Sequence, residues 1–177
     1  MSNNIKIAIS GKSGCGNSTV SRMVAHELGL RLINYTFHDI AEEKGIDFKE
    51  LHQLAQKDLS FDRYLDRRQI ELASEGECVL GSRLAIWLLE DAFLKVYLEA
   101  SPEVRAGRIK KREGGDFETI FREMQERDER DRQRYIKLYD IDIDDYRFAD
   151  LIIKTDNLDQ HKVTKMIVER VREKKRE

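Results

Sequence analysis

Apolar and polar positions alternate between two patterns along the chain. "IKIAIS" (5–10) is a short β-branched run that ends at Gly11, which predicts a strand. From Ser18 onward, Val20, Met23, Val24 and Leu28 recur at helical spacing. "LRLIN" (30–34) predicts a second strand, and helical segments follow at 35–44, 48–57 and 61–75. "ECVLG" (77–81), "FLKVYLEA" (93–100) and "DLIIKT" (150–155) predict three more strands. Each leads into helix-like sequence, the last over 159–173 with Val163, Met166, Ile167 and Val171 inward. Strands buried on both faces and separated by helices predict an α/β fold. The expected architecture is a three-layer sandwich with a five-stranded parallel sheet and helices on both faces. Residues 101–148 break the alternation. They read as a long, highly charged helical hairpin projecting from the sheet, with the glycine pair at 114–115 as its break.

Within that hairpin one helical stripe changes character. Phe117, Ile120 and Met124 step by three and four, as an inward face does. The same steps then reach Arg127, Asp131 and Arg134 before returning to Leu138. At ~100° per residue the three charged positions fall within an arc of about 60°. Buried charges are costly without partners, so the row needs a ligand or one another. Two readings fit. One is a solvated intrahelical ladder. The other is a site for a phosphorylated ligand, with Arg127 and Arg134 gripping phosphate oxygens and Asp131 accepting from a sugar or base. Arg130 and Arg132 point elsewhere on the wheel and read as surface residues. Between 103 and 134 there are eight arginines and only two lysines, a bias that suits phosphate recognition.

The turn after the first strand, "GKSGCGNST" (11–19), nearly spells the phosphate-binding pattern G-x-x-x-x-G-K-[ST]. Gly11 and Gly16 have its spacing, and Ser18 and Thr19 supply hydroxyls. Between them Lys12, Ser13, Gly14 and Cys15 offer backbone amides that can curl around an anion beside the N-terminus of the next helix. Ser18 stands where a hydroxyl would hold Mg²⁺ beside a triphosphate. Asn17 occupies the place of the lysine. An ordinary glycine-rich turn is the competing reading. If the loop works, its missing cation comes from Lys12, curling back over the loop, or from the arginines of the charged helix.

With 177 residues the chain is long enough for one domain, and 40% hydrophobic residues can build its core despite 37% charged ones. A net charge of -2 argues against a nucleic-acid or membrane-surface partner. Two cysteines, Cys15 and Cys78, form neither a metal pattern nor a disulfide framework, which points to a reducing, cytoplasmic setting. The apolar run near the N-terminus is too short for a signal peptide or a span. His26, His52 and His161 have no nucleophile paired with them in sequence and read as structural.

Taken together, the loop, the strand order and the charged helix resemble the cytidylate (CMP) kinases of the P-loop nucleoside monophosphate kinase family, closest to the archaeal-type branch. The resemblance spans nearly the whole chain. It is carried by "GKSGCGNSTVSRMVAHELGLRLI", "FHDIAEEKGIDFKEL", "DRYLDRRQIELASEGECVLGSRLA", "SPEVRAGRIKKREG" and "RQRYIKLYDIDIDD" followed by "DLIIKT". It implies transfer of the γ-phosphoryl group of ATP to CMP or dCMP with Mg²⁺, by a single domain, a monomer acting on small nucleotides. The core would comprise 1–34, 76–104 and 149–177, with a helical acceptor-binding region at about 35–75 and a lid near 105–135. The resemblance assigns Arg83 of "GSRLA" to the acceptor phosphate. Arg127, Asp131 and Arg134 match the lid-helix pattern R-x-x-x-[DE]-x-x-R, and Arg63 and Arg67 lie in a further matching stretch. The chain departs from the pattern at Asn17, at His38, where an acceptor-site arginine is usual, and at Gly81-Ser82, where Glu-Gly is usual. Those departures keep two alternatives open. One is a P-loop kinase for UMP or a coenzyme precursor, the other a non-catalytic nucleotide-binding regulator.

Overall fold

The computed structural model describes residues 4–177; the first three residues of the expected single domain lie outside them. The sheet has five parallel strands: β1 (Lys6–Gly11), β2 (Arg31–Ile33), β3 (Cys78–Gly81), β4 (Leu94–Glu99) and β5 (Leu151–Lys154), in the order β2-β3-β1-β4-β5. All five predicted strands form: four are trimmed at their ends, and the first is shifted by one residue to include Gly11, which pairs with Leu98. Alternation along the strands splits the core between the two faces. Ile7, Ile9, Val79, Val96 and Leu98 pack on one face with Val20 and Val24 of α1 (Asn17–Leu28). Ile167 and Val171 of the C-terminal helix close the same face. Ala8, Cys78, Leu80 and Tyr97 turn to the other face. Each large aliphatic side chain buried in this way contributes ~1.5–3 kcal/mol.

Between β2 and β3 the chain makes three helices, α2 (Phe37–Lys44), α3 (Phe48–Lys57) and α4 (Ser60–Ser74). They gather a small core of their own around Tyr35, Ile40, Ala41 and Leu51. Thr36 and Asp39 form a capping box at the start of α2. After β3 comes a single turn, α5 (Ala85–Leu88).

The charged segment is a hairpin of α6 (Pro102–Glu113) and α7 (Phe117–Tyr139), with the glycine pair between them. Ser101 caps α6, whose first residue is the chain's one proline, and Asp116 caps α7. Helix was expected through residue 148, but α7 ends at Tyr139. Asp140 takes a left-handed conformation at φ 57°. Asp142 then accepts a hydrogen bond from the Asp144 amide at 3.0 Å, a local turn that competes with helix. The chain re-enters the sheet at β5 and ends in α8 (Gln160–Lys174).

Candidate active site

The loop after β1 is shaped by its backbone. Gly14 and Gly16 take φ 80° and 90°, where side-chain-bearing residues are strained, and the Cys15 amide closes a turn on the Lys12 carbonyl at 3.1 Å. Gly16 caps α1 without any side-chain acceptor, so the first amides of that helix are left for a ligand. Cys15 is buried, and burial pushes its thiol pKa up, as befits a packing residue.

Two arginines of α6 brace this loop from outside. Arg105 donates to the Ser13 carbonyl at 3.2 Å and pairs with Asp128 of α7 at 2.7 Å. Arg108 donates to the Gly14 carbonyl at 3.2 Å and to Thr155 at its hydroxyl (3.0 Å) and carbonyl (2.7 Å).

Asn17 does not face the anion cradle. Its Nδ2 donates to the Ile9 carbonyl at 3.1 Å, and its Oδ1 accepts from Ser21 Oγ at 2.9 Å. Nor does Lys12 curl over the loop. Its Nζ lies 2.6 Å from Asp144, which corrects its expected role as the free substitute cation. Arg132, expected on the open surface, is also corrected. It grips Asp142 with two hydrogen bonds of 2.8 and 2.6 Å and lies 3.5 Å from Asp144. Those hydrogen bonds lower the Asp142 carboxyl pKa to about 2.

Beside the loop opens a cleft of about 880 Å³ between α4 and α7, floored by the residues after β3. Arg127, Asp131 and Arg134 all line it. No two of them pair with each other among the described residues, so the intrahelical ladder is not what the helix carries. Asp131, 7% exposed, pairs instead with Arg83. Arg83 also donates to Ser13 Oγ, so its one guanidinium links the glycine loop to α7. Burial lowers the Arg83 pKa from the usual arginine value. Arg134 reaches across to Asp62 of α4 at 3.1 Å. Arg127 and Arg130 stand exposed at the rim, unpaired with any carboxylate among the described residues. Arg130 therefore belongs to the cleft, contrary to its expected outward position.

Residues 6–157 match the sequence profile of the cytidylate kinase-like family. The chain belongs to that family. Among relatives in it, the chain is 49% identical over 167 residues to cytidylate kinase 2 of Borreliella afzelii (strain PKo), covering 92% of this chain and 94% of that one. It is 41% identical over 174 residues to the cytidylate kinase of Archaeoglobus fulgidus, covering 97% of each. More distant solved structures share the fold. A shikimate kinase from Bacteroides thetaiotaomicron superposes with a TM-score of 0.62 at 19% identity, over 96% of each chain. A deoxyadenosine kinase from M. mycoides gives 0.57 at 20% identity, over 95% of this chain and 100% of that one.

The other residues expected from the cytidylate kinase resemblance are placed differently. Arg63 and Arg67 are exposed and line a separate hollow with Ile70, Leu88 and Tyr139. Arg67 lies 3.9 Å from Glu71 and over the Tyr64 ring, on a solvated face. His38 stacks on Phe48, with ring centroids 3.7 Å apart, and its neighbour Phe37 lines the cleft in its place. His52, read as structural, lines the cleft as well. Ser18 is exposed in the first turn of α1 and makes no hydrogen bond through its hydroxyl among the described residues. No trio of His, Cys, Asp or Glu suited to a metal occurs among those residues. A single hydroxyl fits Mg²⁺, which keeps most of its waters and takes its other ligands from phosphates.

The residues of this region that the sequence did not single out are Asp62 and Asp66, which line the cleft, and Arg105 and Arg108, which hold the loop. Asp62 is 5% exposed. Burial raises its carboxyl pKa, while Arg134 opposes that shift. Asp66, one turn further along α4, accepts from Tyr139 OH at 2.7 Å, and burial pushes its pKa up to about 6. The available signal was the i, i+4 spacing of Asp62 and Asp66 beside Leu65 and Gln69, which sets both acids toward the inward side of α4.

Proposed function

We propose that this chain transfers the γ-phosphoryl group of ATP to CMP and dCMP. The observation that carries this reading is the double engagement of Arg83, which joins the glycine loop at Ser13 to the cleft at Asp131. A donor site and an acceptor site that share one guanidinium suit in-line transfer, where positioning and charge stabilisation supply the catalysis. Membership of the cytidylate kinase-like family supports the choice of acceptor.

In this reading the loop from Gly11 to Thr19 cradles the donor phosphates with backbone amides, and Ser18 holds Mg²⁺, which neutralises phosphate charge when bound. Arg83, Arg127 and Arg134 bind phosphates, with Arg127 closing from the rim. Asp131 orients Arg83 and contacts the acceptor nucleoside. The α6–α7 hairpin serves as the lid, and α2–α4 form the acceptor-binding region. The protein works as a cytoplasmic monomer on free nucleotides, without a nucleic-acid or membrane partner. Its net charge of -2 fits that.

A coupled assay of ATP with CMP, dCMP, UMP, AMP and GMP tests the reading. CMP and dCMP are expected to be phosphorylated far better than the purine monophosphates. Equal rates on a purine monophosphate overturn the acceptor. Absence of ATP-dependent product with all five overturns the enzyme.

A further inference from the structure

One group in the cleft is left over by the phosphate chemistry. The two oxygens of Asp62 are unequal. Oδ1 accepts from Arg134, whereas Oδ2 is buried without any hydrogen-bond partner. A buried carboxylate oxygen is costly unless an N–H or O–H reaches it, so a native cleft that keeps one open calls for a donor from outside.

The order of contacts along the wall gives the donor a place. Ser13 of the loop holds Arg83, and Arg83 holds Asp131. Arg134, about one turn further along α7, holds Asp62. Asp62 therefore lies one helical step (~5 Å) beyond the position that joins the loop. The same cleft is lined by Phe37, Leu65 and the amide of Gln69, with Asp66 and Tyr135 close enough to feel the Asp62 charge. Gln69 Nε2 is already committed to the Tyr35 carbonyl at 2.9 Å. A flat heterocycle with an amino edge fits such a place, while its phosphate stays at the arginines.

On the basis of the activity proposed above, we infer that Asp62 Oδ2 receives the exocyclic amine of the acceptor base, making Asp62 the residue that selects cytosine over uracil. An amine donates to this oxygen. A carbonyl at the same ring position sets two acceptors face to face and leaves both unsatisfied. Asp62 then has two tasks, one per oxygen: steadying Arg134 and reading the base.

The experiment compares kcat/KM for CMP, for UMP and for pyrimidin-2-one ribonucleoside monophosphate, which lacks only the amine. Wild type and Asp62→Asn are assayed, with thermal unfolding to confirm that the variant is folded. Asparagine keeps the shape and an acceptor for Arg134 but can turn an amide N–H toward a carbonyl. The CMP:UMP ratio is expected to fall by ~100-fold in Asp62→Asn, mostly through KM for CMP. A parallel fall for CMP and UMP, with the ratio kept, overturns the inference and leaves Asp62 only as the support of Arg134. If Asp62→Asn does not fold, the analogue decides on wild type alone. A loss of ~30-fold or more relative to CMP supports the assignment, and equal use of the two overturns it. Failure of wild type to phosphorylate CMP at all is a separate result, which removes the proposed activity and this assignment with it.

Discussion

The glycine loop and the cleft between α4 and α7 handle charge in opposite ways. Around the loop three cations are already engaged. Lys12 is held by Asp144, Arg105 by Asp128 and the Ser13 carbonyl, and Arg108 by Gly14 and Thr155. The neutral Asn17 is anchored to the strand behind it. In the cleft charges are left over. Arg127 and Arg130 have no carboxylate among the described residues, and Asp62 has an oxygen with no donor. The loop itself offers backbone amides at a helix start, and behind it Asp128, the partner of Arg105, also keeps one buried oxygen without a donor. The cleft side is unfinished, and its completion needs a molecule that carries both anionic oxygens and hydrogen-bond donors. Arg83 bonds to both sides, through Ser13 and Asp131.

That contrast can be broken at Arg83 first. Arg83→Ala should lower kcat/KM by ~10³-fold for every acceptor used, because it removes charge-assisted contacts to loop and α7 together. A loss below ten-fold in steady-state kinetics would sink the shared-wall reading.

Next come the two seam arginines, which the structure separates. Arg127→Ala and Arg134→Ala should each cost ~10²-fold in kcat/KM. Their stabilities should part company. Arg127 has no partner to strand, so Arg127→Ala should melt like wild type. Arg134→Ala abandons a buried carboxylate and should unfold at lower urea concentration. Equal midpoints for the two variants would contradict the Asp62–Arg134 pair.

The unfinished cleft should also show in the pH dependence of stability. The folded-state pKa of Asp66, about 6, lies above the value of 3.8 for a free side chain. The folded form therefore binds the proton more tightly than the unfolded one, and stability declines as pH rises from ~4 to ~6. Above that window the ionised, buried carboxylate costs on the order of 3 kcal/mol. Asp66→Asn keeps an acceptor for Tyr139 and should gain about that much at pH 7.5, with the gain vanishing near pH 4. Urea unfolding at the two pH values measures it, and an equal gain at both would assign the effect to packing.

The smallest effect is expected at the loop. Lys12 is tied to Asp144, so Lys12→Ala should cost less than ~10-fold in kcat/KM for ATP. A loss near 10³-fold would mean that the pair opens and Lys12 supplies the missing charge.

How legible this was in the sequence depended on distance along the chain. The five strands, the glycine loop and the stripe through Arg127, Asp131 and Arg134 are local patterns, and periodicity is enough to find them. The partners were not local. Asp62 and Arg134 stand 72 residues apart, and Arg105 and Ser13 stand 92 apart. No spacing rule connects such residues, so Asp62 and Arg105 looked like ordinary charges on charged helices. The end of α7 was hidden differently. The stretch from Asp140 to Asp145 alternates apolar and acidic residues inside a charged segment read as helix throughout, and there Asp140 turns left-handed and Asp142 accepts from the Asp144 amide, which ends the helix.

The anchoring of Asn17 carries a consequence for how this loop can change over generations. A Cβ at Gly81 would meet Ser21 Oγ at 2.2 Å and Asn17 Oδ1 at 3.0 Å, so asparagine, serine and the bare glycine fit as one unit across α1 and β3. Bringing lysine back at position 17 alone discards two hydrogen bonds and leaves the Ile9 carbonyl without its side-chain donor. Larger residues at 81 are barred while Ser21 and Asn17 remain. The three positions therefore constrain one another: a change to lysine at 17 passes through a weakened intermediate unless its neighbours change first, and substitutions at 17, 21 and 81 should be coupled rather than additive.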